Sequence, residues 1–192
     1  MLKAACIGVV LFLFAGLANA QVPSGNVFLG YSYENTNSGT FGPNLIGSTA
    51  TRPNLKGWEG SFEGKMVPWI GFVADVSGHY GTESFTQLTP AGPVKVNVTG
   101  HEQEYLAGLR LSIPIGNFTP FAEGMAGVAH IHTGGSTPGP SNTSFATAVG
   151  GGIDYRLFRP IALRVEGDYL HTKFFNAGQN NLRLSAGVVF RF

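Results

Sequence analysis

Leu182-Arg183-Leu184-Ser185-Ala186-Gly187-Val188-Val189-Phe190-Arg191-Phe192 alternates without a break. In an extended strand, successive side chains point to opposite sides. Leu182, Leu184, Ala186, Val188, Phe190 and Phe192 therefore share one face, and Arg183, Ser185, Gly187, Val189 and Arg191 share the other. Period-two alternation of this length predicts a strand with one face in an apolar medium and the other in a polar one.

Working back along the chain, the same pattern recurs in six further segments, and a seventh is weaker. Ile161, Leu163, Val165 and Tyr169 oppose Ala162, Arg164, Glu166 and Asp168, and Phe145, Val149, Ile153 and Tyr155 oppose Ala148, Gly150, Gly152, Asp154 and Arg156. Tyr105, Ala107, Leu109 and Leu111 stand against Glu104, Gly108, Arg110 and Ser112. Ile70, Phe72, Ala74, Val76 and Tyr80 stand against Val73, Asp75, Ser77 and His79. Trp58, Phe62 and Met66 face away from Glu59, Ser61, Glu63 and Lys65, and Val27, Leu29, Tyr31 and Tyr33 from Gly30, Ser32 and Glu34. The segment from Phe121 to Ile131 is small on both faces, and its Glu123 is placed with the polar set by analogy. Eight segments of roughly nine to thirteen residues match the ~9–11 that a tilted strand needs to cross a bilayer.

The connections alternate in length. Long polar stretches at Asn35–Asn54, Gly81–Gly100, Gly134–Asn142 and Asn176–Asn181 alternate with tight turns near Val67-Pro68, Gly116-Asn117 and Phe158-Arg159. Short turns on one side and long loops on the other are the rule for transmembrane barrels. Charged residues are only 12 % of the chain, about half the ~25 % of an ordinary soluble domain. No apolar run after residue 20 reaches the ~18 residues of a membrane helix. A closed barrel is the other structure that satisfies its backbone within lipid. The expected fold is all-β: an antiparallel up-and-down transmembrane β-barrel of eight strands. Alternation alone does not say which face looks out, and a soluble barrel or sandwich would turn the apolar face inward. Both signs of charge on the polar faces, aromatics near strand ends (Tyr31, Trp58, Trp69, Tyr80, Tyr105, Tyr155, Tyr169) and the loop asymmetry favour apolar-out.

Residues 1–20 form a predicted signal peptide: Lys3, an apolar stretch from Ala4 to Leu17, then Ala18-Asn19-Ala20 with small residues where a signal peptidase reads. Cleavage there leaves residues 21–192 as the barrel domain and removes the single cysteine, Cys6. Eleven basic and eleven acidic side chains remain, a balance that argues against a nucleic-acid footprint.

With these residues in view, the sequence resembles the small outer-membrane β-barrel family typified by the OmpA membrane domain and OmpX, over essentially all of Gln21–Phe192. The 182–192 strand, with Phe190 and the terminal Phe192, is similar to the signal read by the barrel-assembly machinery. Thr119-Pro120-Phe121-Ala122-Glu123-Gly124-Met125-Ala126-Gly127 is similar to the Pro-aromatic, Gly-rich fifth strand of that family. The resemblance implies the bacterial outer membrane as location and its lipids as surroundings. It implies the assembly machinery as a partner and leaves function open.

The polar faces assemble one constellation: Glu59, Glu63, Lys65, Asp75, Glu104, Arg110, Asp154, Arg156, Arg164, Glu166, Asp168, Arg183 and Arg191. Charges inside a membrane-embedded body must pair or be solvated. An eight-stranded barrel is only just wide enough for side chains, so a packed structural network is expected, with a selectivity filter as the alternative. All five histidines, His79, His101, His130, His132 and His171, are expected at the extracellular rim, and His130 and His132 have a spacing compatible with a shared metal. No carboxylate pair or cysteine completes such a set, and no metal or cofactor is expected. Some barrels of this family act on lipid A with a His and a Ser two positions apart; here His132 follows His130 and Lys173 follows His171, so the motif is absent. The expected function is structural or interactive, through extracellular loops that meet a ligand or surface partner. A narrow solute channel and a lipid A hydrolase are the alternatives.

Overall fold

The computed structural model describes residues 24–35, 54–89, 92–134, 138–174 and 178–192. The predicted cleavage site at Ala20 and nearly all of the first long loop lie outside these residues. Eight strands follow one another: β1 (Gly25–Asn35), β2 (Asn54–Val67), β3 (Ile70–Thr89), β4 (Gly92–Ser112), β5 (Phe118–Gly134), β6 (Pro138–Phe158), β7 (Ile161–Thr172) and β8 (Gln179–Arg191). Each pairs antiparallel with the next, and β8 returns to β1, so the sheet closes in sequence order. Closure runs from Asn26↔Arg191 to Asn35↔Leu182. Next to the first of these pairs, at the turn end, Gly25 and Phe192 exchange backbone hydrogen bonds of 3.0 and 3.1 Å. No edge is left open along the wall, as a sheet immersed in lipid requires.

The three predicted tight turns hold, with positive φ at Gly116 (62°) in the β4–β5 turn. The long connections need correction. Gly81–Gly100 is not a loop: β3 and β4 remain paired from Gly81↔Gly100 through Thr89↔Gly92. Val94, Val96 and Val98 alternate there with Lys95 and Asn97. The β-propensity of that alternation outweighs the flanking Gly and Pro punctuation that suggested a loop. Pairing likewise runs through Ser141 and Asn142 into β6, and Gln179 to Asn181 already belong to β8.

From Trp69, before β3, to Tyr80, on β3, is eleven residues. At ~3.3 Å per residue and a ~40° tilt, these two exposed aromatics stand about 28 Å apart in height, close to the ~25 Å apolar band of an outer-membrane barrel. Leu29, Phe72, Leu109, Val149, Val165 and Leu184 lie between the two levels, all outward and exposed. Above Tyr80, β2 no longer pairs with β3, and above Thr99, β5 no longer pairs with β4. Among the described residues the end of the β3–β4 hairpin is thus a free-standing two-stranded projection, roughly 20 Å tall by the same rise and tilt.

Candidate functional site

The inward face carries the chemistry. Ten of the chain's eleven carboxylates are buried in the lumen: Glu34, Glu59, Glu63, Asp75, Glu102, Glu104, Glu123, Asp154, Glu166 and Asp168. Three arginines, Arg110, Arg164 and Arg183, are buried with them, and Lys65 and Arg191 join from the turn end, half-buried.

Two knots of ion pairs result. In the lower one, Arg164 makes a two-armed contact with Asp154 at 2.6 and 3.0 Å, while Arg191 reaches the same carboxylate at 3.0 Å. Arg110 holds Glu123 at 2.6 Å and lies 3.4 Å from Glu63. Glu63 also takes Lys65 and the Asn26 amide, and Lys65 contacts the Ser112 hydroxyl. Glu166 stands between the two arginines, 3.6 Å from Arg110 and 3.8 Å from Arg164. The inward ring of Phe121 is flanked by both guanidinium groups, 4.3 Å from Arg110 and 4.7 Å from Arg164, a cation–π arrangement strengthened by desolvation.

In the upper knot Arg183 serves four carboxylates: Asp168 at 2.8 Å, Asp75 at 2.9 Å, Glu104 at 3.3 Å and Glu59 at 3.4 Å. The planar fork of arginine suits such shared contacts, with five donors and a fixed charge. Inward glycines make the room. A Cβ at Gly150 would stand 2.0 Å from Asp168 Oδ1, and one at Gly71 would stand 2.3 Å from Glu63 Oε1.

Toward the mouth, Glu34, His79 and Glu104 come together, fully buried. His79, expected on the rim, lies inside the barrel instead: β3 continues beyond it, and the buried ring bonds Ser32 Oγ at 2.8 Å. The other four histidines do sit toward the mouth, on the outer face. His130 bonds Thr143, His171 bonds Asn180, and His101 stacks edge-on to Tyr80. Arg156, expected in the lumen network, instead reaches the Gly116 carbonyl at the turn end.

Three features of the lumen were not read from sequence. Glu102 extends the polar face of β4 two residues beyond Glu104, next to the Gly81–Gly100 stretch whose punctuation reads as a loop. Phe28 and Phe121 are inward aromatics on faces read as polar or small. Val73, Leu106, Met125, Ile131 and Leu170 form an apolar sector within the lumen. Alternation was present at Leu106 and Ile131, but the period says only that a residue shares a face with Glu104 or Glu123.

A cavity of about 580 Å³ opens at the turn end. Its lining reaches inward as far as Arg110, Phe121 and Arg164 and includes neither Glu166 nor any residue of the Arg183 knot. The wall is the reverse of a soluble barrel: large apolar side chains ring the outside and charge fills the inside. An exposed apolar belt of this extent calls for lipid as its solvent. The fold is that of the small outer-membrane barrels. Neisserial surface protein A shares it at a TM-score of 0.60 and 14 % identity, over 88 % of this chain and 97 % of its own. The outer membrane protein OprG of Pseudomonas aeruginosa shares it at 0.58 and 11 %, over 89 % and 96 %. Ail, the attachment invasion locus protein of Yersinia pestis, solved in complex with the heparin analogue sucrose octasulfate, shares it at 0.53 and 14 %, over 86 % and 99 %. No protein-family model matches the chain, and no curated protein matches it in sequence.

Proposed function

We propose that this chain is an integral outer-membrane barrel that acts by surface interaction, with the lumen as a structural plug and the β3–β4 hairpin as its principal contact element. The observation that carries this reading is the pairing of Gly81–Gly100 as a continuous hairpin beyond the aromatic level at Tyr80. Such a hairpin offers a pre-ordered surface, which lowers the entropy lost on binding. Beyond Tyr80 and Thr99 its strands pair with no other strand among the described residues, a geometry suited to contact with another chain. Phe190 and Phe192 serve assembly in this reading, and residues 1–20 direct export. Extracellular polysaccharide is the first ligand class to try, since Ail was solved with a heparin analogue.

The test is to replace residues 83–98 by a short turn and compare adhesion of expressing cells to immobilised heparin and to host-cell surfaces. Normal membrane levels with adhesion lost support the reading. Undiminished adhesion refutes the role of the hairpin. Among the described residues, the feature that favours a narrow channel is the cavity at the turn end, and it stops at the lower ion-pair knot.

A further inference from the structure

The carboxylates near the mouth outnumber the cations that face them. Arg183 is already divided among Asp168, Asp75, Glu59 and Glu104, and beyond it lie Glu34 and Glu102. Glu34 of β1, His79 of β3 and Glu104 of β4 each present a ligand atom, and these atoms lie within 4.8 Å of one another. Each side chain is also held by a neighbour. Ser32 Oγ lies 2.8 Å from His79 Nε2, the Asn181 amide donates to Glu34 Oε1 at 2.7 Å, and the Ser77 hydroxyl donates to Glu104 Oε2 at 2.7 Å. Orientation of a ligand through its second polar atom is the arrangement that supports metal sites.

The remaining atoms are the telling ones. His79 Nδ1 faces Glu34 Oε2 at 3.2 Å, outside hydrogen-bond geometry, and neither has a hydrogen-bond partner. Glu104 Oε1 has none either. Glu102 stands opposite His79 in the β3–β4 pairing, with both carboxylate oxygens buried and unpartnered. Buried polar atoms without partners are uncommon in folded proteins and ask for an occupant. Here the unsatisfied atoms are a ring nitrogen and carboxylate oxygens gathered in one place.

We propose that Glu34, His79 and Glu104, with Glu102 as a fourth donor, bind one divalent first-row transition-metal cation inside the barrel mouth. Imidazole selects for such metals, whereas carboxylates alone would suit Mg²⁺ or Ca²⁺. A dication also offsets the acid excess that Arg183 leaves uncompensated. Bound there, it ties β1 to β3 and β4 across the lumen.

The experiment refolds the mature chain in detergent with and without Zn²⁺, removes excess metal, and measures zinc content and the zinc-edge X-ray absorption. One Zn²⁺ per barrel, with a first shell of one imidazole nitrogen and otherwise oxygen, is the expected result. Binding should weaken at least about tenfold in Glu34→Gln and in His79→Asn, and stay unchanged in the His130→Ala/His132→Ala double variant. Mn²⁺ should compete more weakly than Zn²⁺, following the usual affinity order. No zinc in the folded wild type overturns the proposal. So does a shell with two or more imidazoles, or binding lost only in the His130/His132 variant, since each places the metal on the outer histidines. The absorption spectrum needs no variant, so the outcome stands even where a substitution prevents folding.

Discussion

Replacing Arg183 by alanine should be among the most destabilising single changes in the barrel. Its side chain is fully buried, and its guanidinium lies within 2.8–3.4 Å of carboxylates on four residues. Each such contact is worth roughly 4 kcal/mol of attraction at ~4 Å and an effective dielectric near 20. Desolvation offsets much of that, so the useful figure is the cost of breaking a buried pair, about 3–5 kcal/mol. Asp75 and Asp168 have no other cation within 4 Å among the described residues, which places the loss at the upper end of that range. Arg164→Ala should cost roughly half as much, because Asp154 keeps Arg191 and Glu166 keeps Arg110. Urea unfolding of barrels refolded into lipid vesicles gives both values. The chain's two tryptophans, Trp58 and Trp69, lie on the outer surface and report the loss of lipid contact. A midpoint change at constant slope measures stability. Coupling is tested by adding Asp168→Asn and Asp75→Asn to Arg183→Ala, which should restore part of the loss. Arg183→Ala within about 1 kcal/mol of wild type, or less harmful than Arg164→Ala, would refute the reasoning, because typical surface pairs already fall in that range.

Other outcomes follow from the same architecture. Val165→Arg, on the exposed outer face five residues above Pro160 of the β6–β7 turn, should cost about 2–4 kcal/mol near the bilayer midplane; cysteine scanning with lipid-soluble probes should label position 165 and spare position 164. Deleting Phe190–Phe192 removes the Gly25–Phe192 backbone bonds and the stacking of Phe192 on Phe62, and should lower membrane levels far more than a central substitution does; normal levels would contradict a role in closure and assembly. Protein purified from outer membranes should begin at Gln21 on N-terminal sequencing, and a chain beginning at Met1 would contradict the export route.

Much of the barrel was legible because its wall is written in one repeated rule. Leu184, Val188, Leu163, Val165 and Phe72 could be assigned to one face, and Arg183, Arg164, Glu166 and Glu104 to the other, from period two alone. The loops were harder, since Gly, Pro, Thr and Asn signal a turn in most contexts. In the β3–β4 hairpin they are overruled by valine alternation and by the partner strand. The inner constellation was legible as a set of charges but not as pairs. Register and shear decide that Arg183 meets Asp75, 108 positions away, and no local pattern carries that. His79 was misplaced for the same reason: its height in the barrel depends on where β3 ends.

The central claim, a lumen closed by ion pairs, is tested most directly by single-channel recording of the refolded mature protein in a planar bilayer. The expected trace shows no steady open level in wild type, because the cavity ends at Arg110 and Arg164 and the Arg183 knot lies beyond it. Arg183→Ala should then produce openings where wild type has none. A large, steady wild-type conductance, with Arg183→Ala changing only ion preference, would contradict the closed lumen and make the barrel a channel.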